Sequence, residues 1–212
     1  MATGSISDFL SSFNKELARP HHFDVSVALP PALSDYKKSE RVLSLRCEST
    51  ELPGRSLMTT SMKIYGVEEK FPYMSSYNDI SLTFIVGDDM LEKKIFESWL
   101  NYIHPTATFN FKYKDDYARD MRITQYDLKK EKSYQVKLKN AYPIAVNPLS
   151  LDWGSDGYHK LTVTFVYDYW ESDEQEKNKN NEVGEQNQAV IGLTRNRIIS
   201  KGQTADVNTG AI

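Results

Sequence analysis

From Phe23 to Leu29 apolar and polar residues alternate, with Phe23, Val25, Val27 and Leu29 on one side and Asp24, Ser26 and Ala28 on the other. A period of two predicts a strand with one buried face, and Pro30-Pro31 stops it. Leu43, Leu45 and Cys47 repeat the alternation against Ser44 and Arg46. Ile80, Leu82, Phe84 and Val86 do so again, as do Met121 with Ile123 and Tyr134, Val136 and Leu138. The longest run puts Leu161, Val163, Phe165, Tyr167 and Tyr169 against Thr162, Thr164, Val166 and Asp168. Asn140-Ala141-Tyr142-Pro143 and Asp156-Gly157 between these last runs carry turn chemistry.

Two segments change period. Ile6, Phe9, Leu10, Phe13 and Leu17 recur at three and four, which predicts an N-terminal helix ended by Arg19-Pro20. Leu91, Ile95, Phe96, Trp99, Leu100 and Ile103 form the stripe of a second helix. Asp89 and Glu92 have capping-box spacing ahead of it, and Pro105 follows its end. One face of this helix is expected to pack on a sheet, leaving Glu92, Lys93, Glu97 and Asn101 in water. Six or seven strands, two helices and no repeating βαβ unit indicate a mainly β fold, an antiparallel sandwich or barrel carrying a helix.

Leu52 to Tyr77 holds no sustained alternation; Pro53-Gly54, Gly66 and Pro72 punctuate it. Such a connection inside a domain is functional or folds as a hairpin.

Composition adds a boundary. All 25 aromatic residues lie between Phe9 and Trp170, and the last 42 residues have none. At the chain average that segment would carry about five. The expected organisation is a body over 1–171 and a polar extension over 172–212. Ser172 to Gln188 is rich in Glu, Asn, Gln and Lys and reads as flexible, while Val190, Ile191, Leu193, Ile198 and Ile199 suit a short docking strand.

Candidate chemistry is sparse. The chain has no run of 18 apolar residues, and MATGSISDF lacks the features of a signal peptide, so no membrane binding by this chain is expected. A single cysteine, Cys47, on the apolar side of its run suits a small buried hydrophobe in a reducing compartment. Net charge is −3, without the basic footprint of tight nucleic-acid binding. No phosphate loop or nucleophile elbow is present. Strand neighbours His21 and His22 would point to opposite faces and not share an ion. Asp152 to Gly157 lacks the distal carboxylate of a calcium loop and reads as a turn. Lys112-Tyr113-Lys114 and Lys129 to Lys132 are offset by Asp115, Asp116, Asp120 and Asp127, so a solvated loop outweighs a stacking platform. No catalytic residue, metal site or cofactor is expected.

Several motifs nevertheless stand in a telling order. Arg19-Pro20 leads into an alternating run, and Leu52-Pro53-Gly54 follows Cys47. The Trp99 helix comes after the Ile80–Val86 run, and Leu151-Asp152-Trp153 precedes a closing run that ends Asp168-Tyr169-Trp170. Over residues 9–171 this order resembles the tail tube proteins of T4-like contractile-tailed bacteriophages and the related tube initiators. The resemblance implies a hexameric ring sharing one inner β-barrel, with rings stacked into a hollow tube that DNA traverses. Implied partners are a sheath, baseplate or initiator proteins and a tape-measure protein. The implied location is the virion tail, after synthesis in the host bacterial cytoplasm. By position, the Leu52–Tyr77 segment matches the loop that reaches the adjacent ring, with Met58, Met62, Tyr65, Phe71, Tyr73 and Met74 as adaptable contacts. Carboxylates suit a DNA conduit, Asp168 and Glu68-Glu69 being candidates for its wall. The extension is a departure from the family and keeps open a baseplate-proximal initiator or a terminator ring. A small ligand-binding β-barrel, its interior lined around a pocket, is the alternative from another class.

Overall fold

A computed structural model describes Ile6, Phe9 and residues 17–63, 65–154 and 156–175. The chain divides into two units, Met1–Glu171 and Ser172–Ile212. Of the predicted N-terminal helix, Leu10 and Phe13 lie outside the described residues, Ile6 and Phe9 are helical and exposed, and Leu17 is exposed and outside any helix. Of the segment expected to be flexible over Ser172 to Gln188, Ser172 is in a strand and 173–175 are helical; the rest of it and the expected docking strand lie outside the described residues.

Nine strands are found among the described residues, more than the periodicity predicts: β1 (Phe23–Val27), β2 (Cys47–Ser49), β3 (Ser56–Met62), β4 (Glu69–Ser76), β5 (Ile80–Ile85), β6 (Arg119–Tyr126), β7 (Lys132–Val146), β8 (Lys160–Val166) and β9 (Tyr169–Ser172). Seven of them form one nearly closed, barrel-like sheet in the order β1-β6-β7-β8-β5-β2, with β9 paired to β7. The pairs along that path are antiparallel, as Val25 opposite Ile123 and Leu82 opposite Val163 illustrate. The remaining two, β3 and β4, make a separate hairpin. The mainly β, antiparallel barrel-like architecture expected from the sequence is the one found.

Strand β7 is continuous where a turn is predicted at Asn140 to Pro143. Asn140 takes a left-handed φ of 55°, and the strand changes partner there. Ala141 still pairs with Arg119 of β6, whereas Tyr142 pairs with Val166 of β8. The turn-forming residues thus redirect the strand without ending it, which curls the sheet.

A second correction concerns Leu43 and Leu45, which are helical. A 3-10 segment (Pro31–Ser39) and helix α1 (Glu40–Arg46) link β1 to β2, the two edge strands. Helix α1 packs against β1 and β5, with Leu43 buried and Leu45 exposed. Ser44 Oγ donates to Asp24 on β1.

Helix α2 (Leu91–Ile103) lies against β7 and β8, and a short helix α3 (Lys114–Tyr117) follows it. Ile95, Phe96 and Trp99 are fully buried among Phe84, Leu138, Leu161 and Phe165, while Leu91 and Leu100 are half-buried at the margin. The Phe96 ring meets those of Phe84 and Phe165 at 5.1 and 5.8 Å, and Trp99 Nε1 donates to the Tyr117 carbonyl at 3.1 Å. The indole thereby buries its large apolar surface without orphaning its N–H.

Glu92 is not in water. Its side chain is fully buried, accepting a charge-assisted bond from Arg46 of α1 and, at 3.2 Å, the Gly87 N–H. Asp89 accepts from the Leu91 N–H at 3.4 Å, so the two carboxylates split the helix entry instead of forming the predicted box. A Cβ at Gly87 would lie 2.5 Å from the Arg46 guanidinium, so a side chain there would have to push that flexible group aside.

Candidate assembly surfaces

The expected loop over Leu52–Tyr77 is largely the β3–β4 hairpin. Met58 lies opposite Met74 and Thr60 opposite Phe71, with a register shift that leaves Tyr73 extra on its strand. Tyr73 Oη reaches Met58 Sδ at 3.6 Å. Met58, Met62, Tyr65, Phe71, Tyr73 and Met74 are all exposed, and every residue of β3 is too. None of these side chains belongs to the core. An isolated two-stranded hairpin is marginal in water, and among the described residues this one presents apolar side chains that take no part in the core cluster.

Two predicted motifs meet at the hairpin's base. Trp170 on β9 donates from Nε1 to the Gly54 carbonyl at 3.1 Å, joining Leu52-Pro53-Gly54 to Asp168-Tyr169-Trp170. Arg55 reinforces the base by donating to Ser75 Oγ at 2.9 Å. At the other edge, the Arg19 carbonyl accepts from Gln125 Nε2 at 3.0 Å, which anchors Arg19-Pro20 beside β6.

Asp168 sits in a polar cluster beside the β7 bend. Lys114 pairs with it and Asn140 Nδ2 donates at 2.8 Å; both hold its carboxyl below the usual range. Neighbouring Asp120 is also lowered: partial burial works against that, but Lys139, the Asn140 N–H and Lys137 outweigh it. Both carboxylates therefore fasten Asn140. Glu68 and Glu69 are exposed on the hairpin.

Leu151-Asp152-Trp153 belongs to the long β7–β8 connection. Asp152 Oδ1 accepts from the Gly154 N–H at 3.1 Å, a side-chain-closed turn in place of a calcium loop. Leu151 and Trp153 project fully into solvent.

One surface was not foreseen. Leu100, Ile103, Phe111, Tyr142, Pro143 and Ile144 line an apolar groove of about 520 Å³ where α2 meets β7. His104 stacks on Phe111 at 4.4 Å. The alternation of Phe109, Phe111 and Tyr113 was its only trace in the sequence.

The remaining candidates have structural roles. Cys47 is partly buried against the core, and burial, then Asp24, pushes its thiol up to about 12, so it stays protonated. His21 and His22 lie in the turn before β1, not at alternate strand positions, and their rings meet at 4.2 Å. Lys114 engages Asp168, while Tyr113 is exposed. Phe84 and Phe165 of the sheet and Phe96 and Trp99 of α2 are fully buried and fill the space between them.

A barrel-like sheet that carries a separate β-hairpin and exposed apolar surfaces suits a structural subunit. The sequence pattern of the phage tail tube protein family matches residues 18–173, and the chain belongs to that family. It is a structural protein of the tail tube. No curated protein matches it by sequence. Among solved structures, it is similar to the extracellular contractile injection system PVC sheath/tube terminator in the extended state, at 17% identity and TM-score 0.54, covering 76% of this chain and 99% of that one. The PVC sheath-tube complex gives 17% and 0.56, covering 77% and 96%. The tube-terminating cap of the anti-feeding prophage gives 16% and 0.56, covering 75% and 92%. At such identities these likenesses speak to the fold.

Proposed function

We propose that copies of this chain assemble into hexameric rings that stack into a hollow conduit for DNA inside a contractile sheath. The observation that carries this reading is the β3–β4 hairpin, whose Met, Phe and Tyr side chains have no core to cover and suit an adjacent ring. The edges of β1 and β2, unpaired among the described residues, add to it, because strands shared between neighbours would cover them. Rings arise when a heterologous contact closes, and repeated stacking continues as a filament. The body is residues 1–171, and 172–212 is a polar C-terminal extension. The subunit has no catalytic role; its partners are the sheath, baseplate or initiator proteins and the tape-measure protein. It is synthesised in the bacterial cytoplasm and ends in the virion tail.

A second reading, a terminator or initiator ring, is favoured by one feature. The family match ends at residue 173 whereas the chain runs to Ile212, which gives this subunit material that plain tube stacking does not require. Negative-stain imaging of the purified chain separates the two. Long tubes of uniform width support the first and single rings the second, while a monomer at high concentration overturns both.

A further inference from the structure

We infer that the Trp153 turn of one copy seats in the groove beside α2 of the next, an inference resting on the tube reading above. Trp153 has a relative exposure of 107% and Leu151 of 88%, at the tip of a turn closed by Asp152 and the Gly154 N–H. The Asp152 carboxylate is thus engaged with its own backbone, and the tip offers an indole and an isobutyl group to whatever meets it. Tryptophan in a desolvated pocket is the commonest kind of interface anchor.

The groove supplies what that tip needs. Its volume of about 520 Å³ falls in the range that encloses a drug-sized ligand, roughly 300–1,000 Å³. Its polar rim is already engaged: Glu97 pairs with Lys93 at 3.6 Å, Asn101 Oδ1 accepts from the Thr106 N–H at 3.3 Å, and His104 lies on Phe111. The cleft of similar size between β1 and β2 is less suitable, because Asp24, Ser44 and Glu48 line it.

Area argues that the occupant is a second copy in a larger assembly. A buried aromatic side chain covers roughly 150–250 Å², so the tip with Leu151 covers several hundred. A stable free pair needs roughly 800 Å² per partner. The contact is too small to hold a dimer alone, but it adds to others where every copy both offers a tip and provides a groove. Two different surfaces joined in this way make a heterologous contact, which closes a ring or propagates.

The test replaces Trp153 with the photo-crosslinking residue benzoylphenylalanine in full-length chain, mixing isotope-labelled and unlabelled copies before assembly. Labelled-to-unlabelled crosslinks to peptides containing residues 97–111 or 142–144 are expected. Trp153→Ala should raise the concentration needed for assembly at least about tenfold with an unchanged thermal melt, and Trp153→Phe should restore most of it. Tubes that crosslink elsewhere, or only within one chain, overturn this inference and leave the tube reading intact. Assembly by Trp153→Ala at the wild-type concentration also overturns it. A wild-type chain that stays monomeric removes both.

Discussion

Trp170 and Gly54 are 116 residues apart in sequence, yet the indole N–H of one donates to the carbonyl of the other at 3.1 Å. The bond ties the final strand of the body to the segment that launches the β3–β4 hairpin. A hairpin without core contacts depends on how its base is held, so this tie bears on where the hairpin points.

Trp170→Phe keeps a ring on β9 and removes the donor. A lost hydrogen bond of this kind costs about 0.5–1.5 kcal/mol, which for a domain of this size lowers the melting temperature by about 1–6 °C. The thermal melt checks the cost. Faster hydrogen exchange confined to residues 54–76 checks the direction of the effect, whereas a uniform increase over the whole sheet would reject it.

Arg46→Met removes the cationic partner of a fully buried carboxylate. Glu92 keeps the Gly87 N–H but loses its guanidinium. Leaving a fully buried carboxylate without its cation costs about 3–5 kcal/mol, and the double variant Arg46→Met with Glu92→Gln should recover part of that, since no unpaired charge remains. Chemical denaturation of the two variants measures both. A double variant less stable than the single one would show that the pair does not set the cost.

The sheet was legible because alternating strands with one wet face leave a period of two that survives without any tertiary information. Helix α1 was not, since Leu43, Leu45 and Cys47 satisfy that period by chance and seven residues are too few for the helical one to stand out. The turn expected at Asn140 to Pro143 was real local chemistry overridden by pairing: β6 and β8 supply partners on either side of the bend. Glu92 looked solvated because its partner lies 46 residues earlier, and no pattern near a carboxylate announces a distant guanidinium. Of the surfaces, the hairpin residues were visible as apolar side chains without periodicity. The groove needed α2 and β7 to be brought together before it existed at all.

Deleting residues 172–212 tests where the body ends. Among the described residues the buried core runs from Val25 to Tyr167, so the truncated chain should remain soluble and melt cooperatively within a few degrees of the full chain. Loss of the cooperative transition would place part of the stabilising contact after Glu171.

Acid should loosen the cluster at the β7 bend. Lys114 and Asn140 lower the Asp168 carboxyl, so the folded state favours its ionised form. The resulting stabilisation is present above the unfolded carboxylate value of about 3.9 and is lost as pH falls through the lower folded one. The wild-type melting temperature should therefore drop more steeply between about pH 4.5 and 2.5 than that of Asp168→Asn, which carries no titrating group there. The difference should be small and shrink with salt, because this pair is partly exposed. Parallel curves for the two proteins would sink the assignment.

Changing Met62 and Tyr65 to glutamate places two charges on a surface proposed to be covered by the adjacent ring. Both side chains are exposed, Tyr65 at 95%, so the isolated subunit should melt as the wild type does, within about ±0.5 kcal/mol. If the hairpin reaches the next ring, assembly must desolvate both carboxylates against apolar side chains. The cost of burying unpaired charge then exceeds what a contact of this size supplies. Negative-stain imaging should show single rings, or no assembly, at concentrations where the wild type forms tubes. Tubes of normal length from this variant, with the fold intact, would mean that the hairpin faces solvent in the assembly and that ring stacking is carried by another surface.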